Sequence, residues 1–178
     1  SGSGANSNGK YRGIAPESNI VMIKALDFEG KGTASDVLTG IQWVADNYKK
    51  YNIRILNMSI GAGITNTKDP LVRAAEILWD MGIVVVAAAG NNGPQKGTIS
   101  SPGISKKIIT VGSVDDINVP ENDIGKSYSG RGPTKECVIK PDVVAPGTNI
   151  ISCLCEDNKN NNYYKSLSGT SMSTPIVS

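Results

Sequence analysis

The 178-residue chain contains no histidine. A Ser-His-Asp triad therefore cannot be assembled from it alone, because the base and the acid of that device are one and the same imidazole. An excess of charge of either sign is missing too. Eighteen basic against 16 acidic residues leave a net charge of +2 with no basic block, so neither nucleic acid nor an anionic membrane surface is an expected partner. No apolar run approaches the length that spans a bilayer. The three cysteines, Cys137, Cys153 and Cys155, form neither a disulfide framework nor a metal-ligand pattern: Cys153-Leu154-Cys155 is too tight for a usual zinc knuckle. An odd count fits free thiols in a reducing compartment, which favours a cytoplasmic over a secreted location. The visible N-terminus says nothing about export.

What is present points to one domain, residues 1–178, with 39% hydrophobic residues and enough apolar side chains for a sizeable core. Ser1 to Asn8 reads as a loop or tail. Asn19 to Ala25 is a short, largely apolar run that predicts a strand buried on both faces. Thr33-Ala34-Ser35-Asp36 is a helix start, followed by Val37, Ile41, Val44, Ala45 and Tyr48 at helical spacing. Ile53 to Ile60 predicts a second buried strand. Asp69-Pro70 opens another helix, with Asp69 as N-cap and Pro70 at the first helical position. In it Leu71, Ala74, Ala75 and Leu78 face the core, and Gly82 marks its stop. Ile83 to Ala89 is the clearest central strand, and Ile108 to Val114 is another. Val143-Val144 and Ile150-Ile151 flank the turn Ala145-Pro146-Gly147-Thr148 as shorter strands, and Asp157 to Asn162 reads as a surface loop. Alternating strands and helices predict an α/β fold, a doubly wound, mostly parallel sheet with helices on both faces.

In such a sheet, ligands sit beyond the carboxyl ends of the strands. After the second strand, Gly61-Ala62-Gly63 starts like a dinucleotide fingerprint, but Asn66 stands where a glycine or alanine is needed and the helix opens only near Pro70, so the nucleotide reading is poor. After the central strand, Gly90-Asn91-Asn92-Gly93 reads as an ordinary turn or as an amide donor on a rigid strand end. Near the chain's end, Ser168-Gly169-Thr170-Ser171-Met172-Ser173-Thr174-Pro175 is a small-residue turn running into a buried helix. It either caps that helix or presents the Ser171 hydroxyl among unpaired backbone N–H groups, as a nucleophile beside an oxyanion site requires.

Gly169-Thr170-Ser171-Met172-Ser173-Thr174-Pro175 resembles the nucleophile motif of the subtilases, the subtilisin-like serine proteases. Asn57-Met58-Ser59-Ile60-Gly61, Ala88-Ala89-Gly90-Asn91, Thr98 to Gly103 and Lys140 to Gly147 resemble further segments of that family, in the family's order. Tyr11 to Pro16, Ser101-Pro102-Gly103 and Ser129 to Pro133 are similar to the branch of bacterial intracellular alkaline proteases. The resemblance implies a partial subtilase catalytic domain with a subtilisin-like fold and serine endopeptidase chemistry on an extended polypeptide. It makes Ser171 the nucleophile and gives the Asn91 amide, with the Ser171 N–H, the oxyanion. Ser59, Ile60 and Gly61 would pair with the substrate backbone as an added strand. Ala88, Ala89 and Gly90 would form one wall of the pocket for the residue before the scissile bond. Ser100 would lie near its base, leaving it roomy and uncharged, and Thr170 would border the site. The Ser101–Pro102 bond would be cis, as it often is in the family.

The departures from the family carry their own implication. Its catalytic Asp and His lie upstream of a segment resembling Ser3 to Arg12, and its helix behind the serine runs on beyond a point matching Ser178. The resemblance therefore implies an internal fragment, truncated at both ends, that is inactive alone and prone to self-association. No cofactor is expected. Structural calcium occurs in the family, but Asn6 and Asn8 alone would be poor ligands for a hard cation, so no metal site is assigned. A second function class stays open, a pseudoprotease or peptide-binding regulatory relative that lost its triad; the retention of both Ser171 and Asn91 favours the protease.

Overall fold

The computed structural model describes residues 1–63, 66, 68–115, 127–154 and 163–178. Four parallel strands form its main sheet in sequential order: β1 (Ile55–Met58), β2 (Val84–Ala88), β3 (Ile109–Ser113) and β4 (Val143–Ala145). Among the described residues three helices cover it, α1 (Ala34–Asn47), α2 (Pro70–Asp80) and α3 (Thr170–Val177). Val37, Ile41 and Val44 of α1 and Leu71, Ala75 and Leu78 of α2 pack with Met58, Val85 and Ala87. On the other face Val86, Val111 and Ala145 pack with Ile109 and with Ile176 of α3. Alternate residues of β2 thus serve two cores, as a strand with helices on both faces requires. The α/β architecture is that of the subtilisin-like expectation.

The helix starts follow from local chemistry. Thr33 caps α1 through a reciprocal box in which its Oγ1 accepts from Asp36 N while its own N–H donates to the Asp36 carboxylate. At α2, Asp69 accepts the Leu71 N–H and Pro70 fills the first turn, where no N–H is needed. Gly82 follows with φ +89°, the left-handed residue that stops the helix.

Two expectations need correction, and a third holds with a different pairing. Asn19 to Ala25 is not a strand: Ile20, Val21 and Met22 are exposed, and only Ile23, Ala25 and Leu26 rest against the first core. Among the described residues no strand runs beside the segment to supply ladder hydrogen bonds, and apolar content alone cannot hold an extended chain. The strand expected over 53–60 is shorter and only half buried, because β1 lies at the sheet's outer edge. Ile150-Ile151 is a short strand as expected, β5 (Ile150–Cys153), but it pairs antiparallel with β6 (Tyr164–Leu167) in a separate two-stranded sheet. The loop expected over 157–162 falls outside the described residues, as does Cys155; Cys137 and Cys153 are free and exposed.

The Lys140-Pro141-Asp142 motif has a structural task. Its buried ammonium donates to Ile108 O (2.9 Å) and to Asp142 Oδ2 (2.6 Å), and the same carboxylate oxygen accepts Thr110 N (2.7 Å). The entry of β3 is thereby tied to the chain leading into β4. No described helix is long and apolar enough to cross a membrane.

Candidate active site

The loops leaving β1, β2, β3 and β4 all emerge at the same edge of the parallel sheet, and the N-terminus of α3 meets them there. Helix α3 begins at Thr170, so Ser171 stands in its first turn, where backbone N–H groups have no intrahelical partner. Gly169 precedes it with φ +147°. Pro175 lies inside the helix and cannot donate to the carbonyl four residues back, which belongs to Ser171. Ser59 Oγ fills that vacancy at 2.8 Å, while Ser171 Oγ donates to Ser59 O at 3.0 Å. Asn57 Nδ2 donates in turn to Ser59 Oγ at 2.9 Å.

Asn91 is held from the same helix start. Its Oδ1 accepts both Thr170 N and Thr170 Oγ1, each at 3.0 Å. Because a backbone N–H can only donate, these bonds settle the orientation of the amide, and Nδ2 remains as its donor end. Thr170 is fully buried, and its Oγ1 also accepts Gly90 N at 3.1 Å. One threonine side chain thus locks the end of β2 to the start of α3.

A cavity of about 360 Å³ opens beside this junction, lined by residues that include Gly61, Ala88, Asn91, Ser100 and Ser171. Ile60, Gly90 and Thr170 also reach it, so that, together with Ser59 alongside, nearly every residue singled out from the sequence converges on one place. Ala89 does not line the cavity: its side chain packs behind the wall in an apolar cluster with Val72, Ile99 and Ile104. Gly90 has φ +92°, and any Cβ there would collide with the Ser100 hydroxyl, so the wall must be bare at this point. The Ser101–Pro102 bond is cis, and Ala62 N donates to Ser101 O at 3.0 Å.

Sequence reading missed two contributors. Asn92 lines the cavity and donates from Nδ2 to Ser100 Oγ at 3.2 Å; its signal was only its place beside Asn91. Asp115, just beyond β3, accepts Ser113 Oγ (2.7 Å), Gly147 N (2.8 Å) and Thr148 N (3.1 Å). Burial pushes its carboxyl up, but the hydrogen bonds from Ser113, Gly147, Thr148 and its own N–H outweigh this and hold it below the ordinary aspartate value. Nothing in the local sequence around Asp115 signals that contact. Among the described residues, no group of three or more His, Cys, Asp or Glu gathers to hold a metal.

The arrangement offers a hydroxyl at a helix N-terminus, an adjacent amide donor and an uncharged cavity beside the segment that follows β1. Comparison with known proteins identifies the family. The sequence model of the subtilase family (Peptidase_S8) matches residues 2–178. The chain is 45% identical to the serine protease AprX of Bacillus subtilis (strain 168), over 98% of this chain and 43% of that protein. It is 37% identical to the thermophilic serine proteinase of Bacillus sp. (strain AK1), over 93% of this chain and 35% of the relative. With subtilisin DY of Bacillus licheniformis it shares 36%, over 93% and 53%. It spans roughly a third to a half of the length of these relatives. On the family match and these identities, the chain belongs to the subtilase family.

Proposed function

We propose that these residues form the nucleophile half of a serine endopeptidase site acting on extended polypeptides. The observation that carries the proposal is the pair of hydrogen bonds from Thr170 to Asn91 Oδ1, which sets the Asn91 amide beside the N-terminus that bears Ser171. Ser171 Oγ adds to the scissile carbonyl and loses its proton to a base. The carbonyl oxygen becomes an oxyanion, met by the Ser171 N–H and Asn91 Nδ2. Collapse expels the amine, which takes up a proton, and leaves an acyl ester on Ser171; water then releases the acid by the reverse sequence. The segment Ser59 to Gly61 pairs with the substrate backbone, and the cavity beside Ser100 takes the side chain before the scissile bond, with no charged group in its lining.

The 178 residues hold no histidine, so the base and acid must come from outside them. The same fact favours a second reading, a peptide-binding relative without turnover. A chromogenic peptide with a large apolar residue before the scissile bond separates the two. The full-length protein should hydrolyse it, and Ser171→Ala should abolish turnover; peptide binding with no Ser171-dependent hydrolysis would leave only the second reading. The 178-residue chain by itself should show background hydrolysis, since loss of the triad histidine alone costs about 10⁶ in kcat in subtilisin.

A further inference from the structure

The candidate site accounts for Asn91 on one side of the Gly169-Thr170-Ser171 turn. On the opposite side stands the turn after β4, Pro146-Gly147-Thr148, and behind that turn the Asp115 carboxylate. We propose that Asp115 is a positioning residue for Ser171, acting through the Gly147–Thr148 peptide group as a rigid strut; the catalytic part of this proposal rests on the protease reading above.

The contacts form one continuous line. Thr148 N donates to both oxygens of Asp115, each at 3.1 Å, and Gly147 N donates to Oδ1 at 2.8 Å. The carbonyl of the same Gly147–Thr148 peptide group accepts Gly169 N at 2.9 Å. A peptide group is planar, and its N–H and C=O point in opposite directions. A carboxylate on one side therefore sets the position of the acceptor on the other, and with it the backbone two residues before Ser171. Carboxylate acceptors bind backbone N–H groups more strongly than neutral acceptors do, so this end of the strut is the firm one.

The surroundings remove the remaining slack. A Cβ on Gly147 would run into Ser173 Oγ and would lie 2.8 Å from Ser113 Oγ and 2.9 Å from Gly169 O, so the turn is wedged between β3 and α3. Tyr128 Oη bridges Ser113 Oγ and Thr148 Oγ1 at 2.9 Å each, bracing the carboxylate's own donor against the turn. Asn149 N donates to Ser168 Oγ at 2.9 Å, a second tie between the same two segments. Gly169 is thus clamped between the strut and the Asn91 amide, and the clamp fixes where Ser171 starts α3. Asp115 reaches no substrate; it acts only through the backbone.

The test uses the full-length protein and Asp115→Asn, which keeps the side chain's shape but replaces one acceptor oxygen by a donor. Two readouts are taken, steady-state kinetics on the chromogenic peptide and amide hydrogen exchange. The expected result is a kcat lower by between about 10- and 10²-fold with KM little changed, the scale of loss that follows from small misplacement of a reacting group. Exchange should quicken at the amides of residues 168–172 and stay as in the parent across α1. Should Asp115→Asn fail to fold, Ser113→Ala removes one donor to the same carboxylate and should give the same pattern in weaker form. Unchanged exchange at residues 168–172, or quicker exchange with unchanged kcat, overturns the strut; so does quickening spread evenly over the chain. If the parent protein shows no Ser171-dependent hydrolysis, the protease reading falls by itself, and the exchange pattern still decides whether Asp115 holds the turn.

Discussion

Ser59 and Ser171, 112 residues apart, hydrogen-bond each other in both directions, the hydroxyl of each donating to the carbonyl of the other. Pro175 explains half of the exchange, since it leaves the Ser171 carbonyl without an intrahelical donor. Ser59→Ala should therefore destabilise the protein by about 0.5–1.5 kcal/mol, the net worth of a typical hydrogen bond, here to a part-buried acceptor. In a Pro175→Ala background, where the backbone can supply the missing N–H, the same change should cost less. Urea midpoints of the two single variants and the double variant measure the coupling, and strict additivity would remove the explanation.

Asn91→Ala in the full-length protein should lower kcat by roughly 10²–10³ with little effect on KM, the range known for a subtilisin asparagine in the same task. The amide would touch the oxyanion only as charge develops, so ground-state binding should be spared. Equal losses in kcat and in substrate affinity would reduce Asn91 to a turn residue.

Thr170→Val is close to isosteric and tests the lock between β2 and α3. It removes a donor to Asn91 Oδ1 and the acceptor of the buried Gly90 N–H. An unsatisfied buried N–H costs about 1–3 kcal/mol, so the melting temperature should fall. The kcat should fall beyond what the lost fraction of folded protein explains, because the Asn91 amide keeps only its Thr170 N contact. A stable variant of full activity would show the lock to be dispensable.

Asp36 predicts how one cap responds to acid. Hydrogen bonds from the Thr33 hydroxyl and from the Thr33 backbone N–H hold its carboxyl below the ordinary aspartate value. A depressed folded-state pKa gives stabilisation that is present above the unfolded value and lost as pH falls through the folded one. Asp36→Asn should therefore lower the urea midpoint at neutral pH, and the gap to the parent should close below the aspartate range. A gap independent of pH would assign the effect to shape rather than charge.

Self-association of the 178-residue chain is the expected outcome when it is prepared alone. Ile14, Met22, Phe28 and Ile139 are exposed, and β1 and β4 are the outer strands of the sheet. Exposed apolar side chains and unpaired strand edges promote association. Sedimentation velocity over a concentration series reads this directly; a monomer with a single steep urea transition would contradict it.

The features that the sequence determined by itself are those whose causes lie within a few residues. The Thr33–Asp36 box and the Asp69-Pro70 start hold where they were expected, because each cap is made by a side chain and an N–H two or three positions apart. The string from Gly169 to Pro175 marks the helix start that bears Ser171 without any side-chain cap, the N-cap being Gly169 itself. Long-range pairing was decided only in the tertiary structure. Asn19 to Ala25 has the composition of a strand but no strand beside it among the described residues. Ile150-Ile151 pairs with β6, which no local pattern distinguished from a loop. Ser59 answers Pro175, and Asp115 answers Gly169, across distances in sequence that no motif spans. A hydrogen-bond donor or acceptor is indifferent to where in the chain its partner comes from, so only the folded arrangement of the strand ends could choose it.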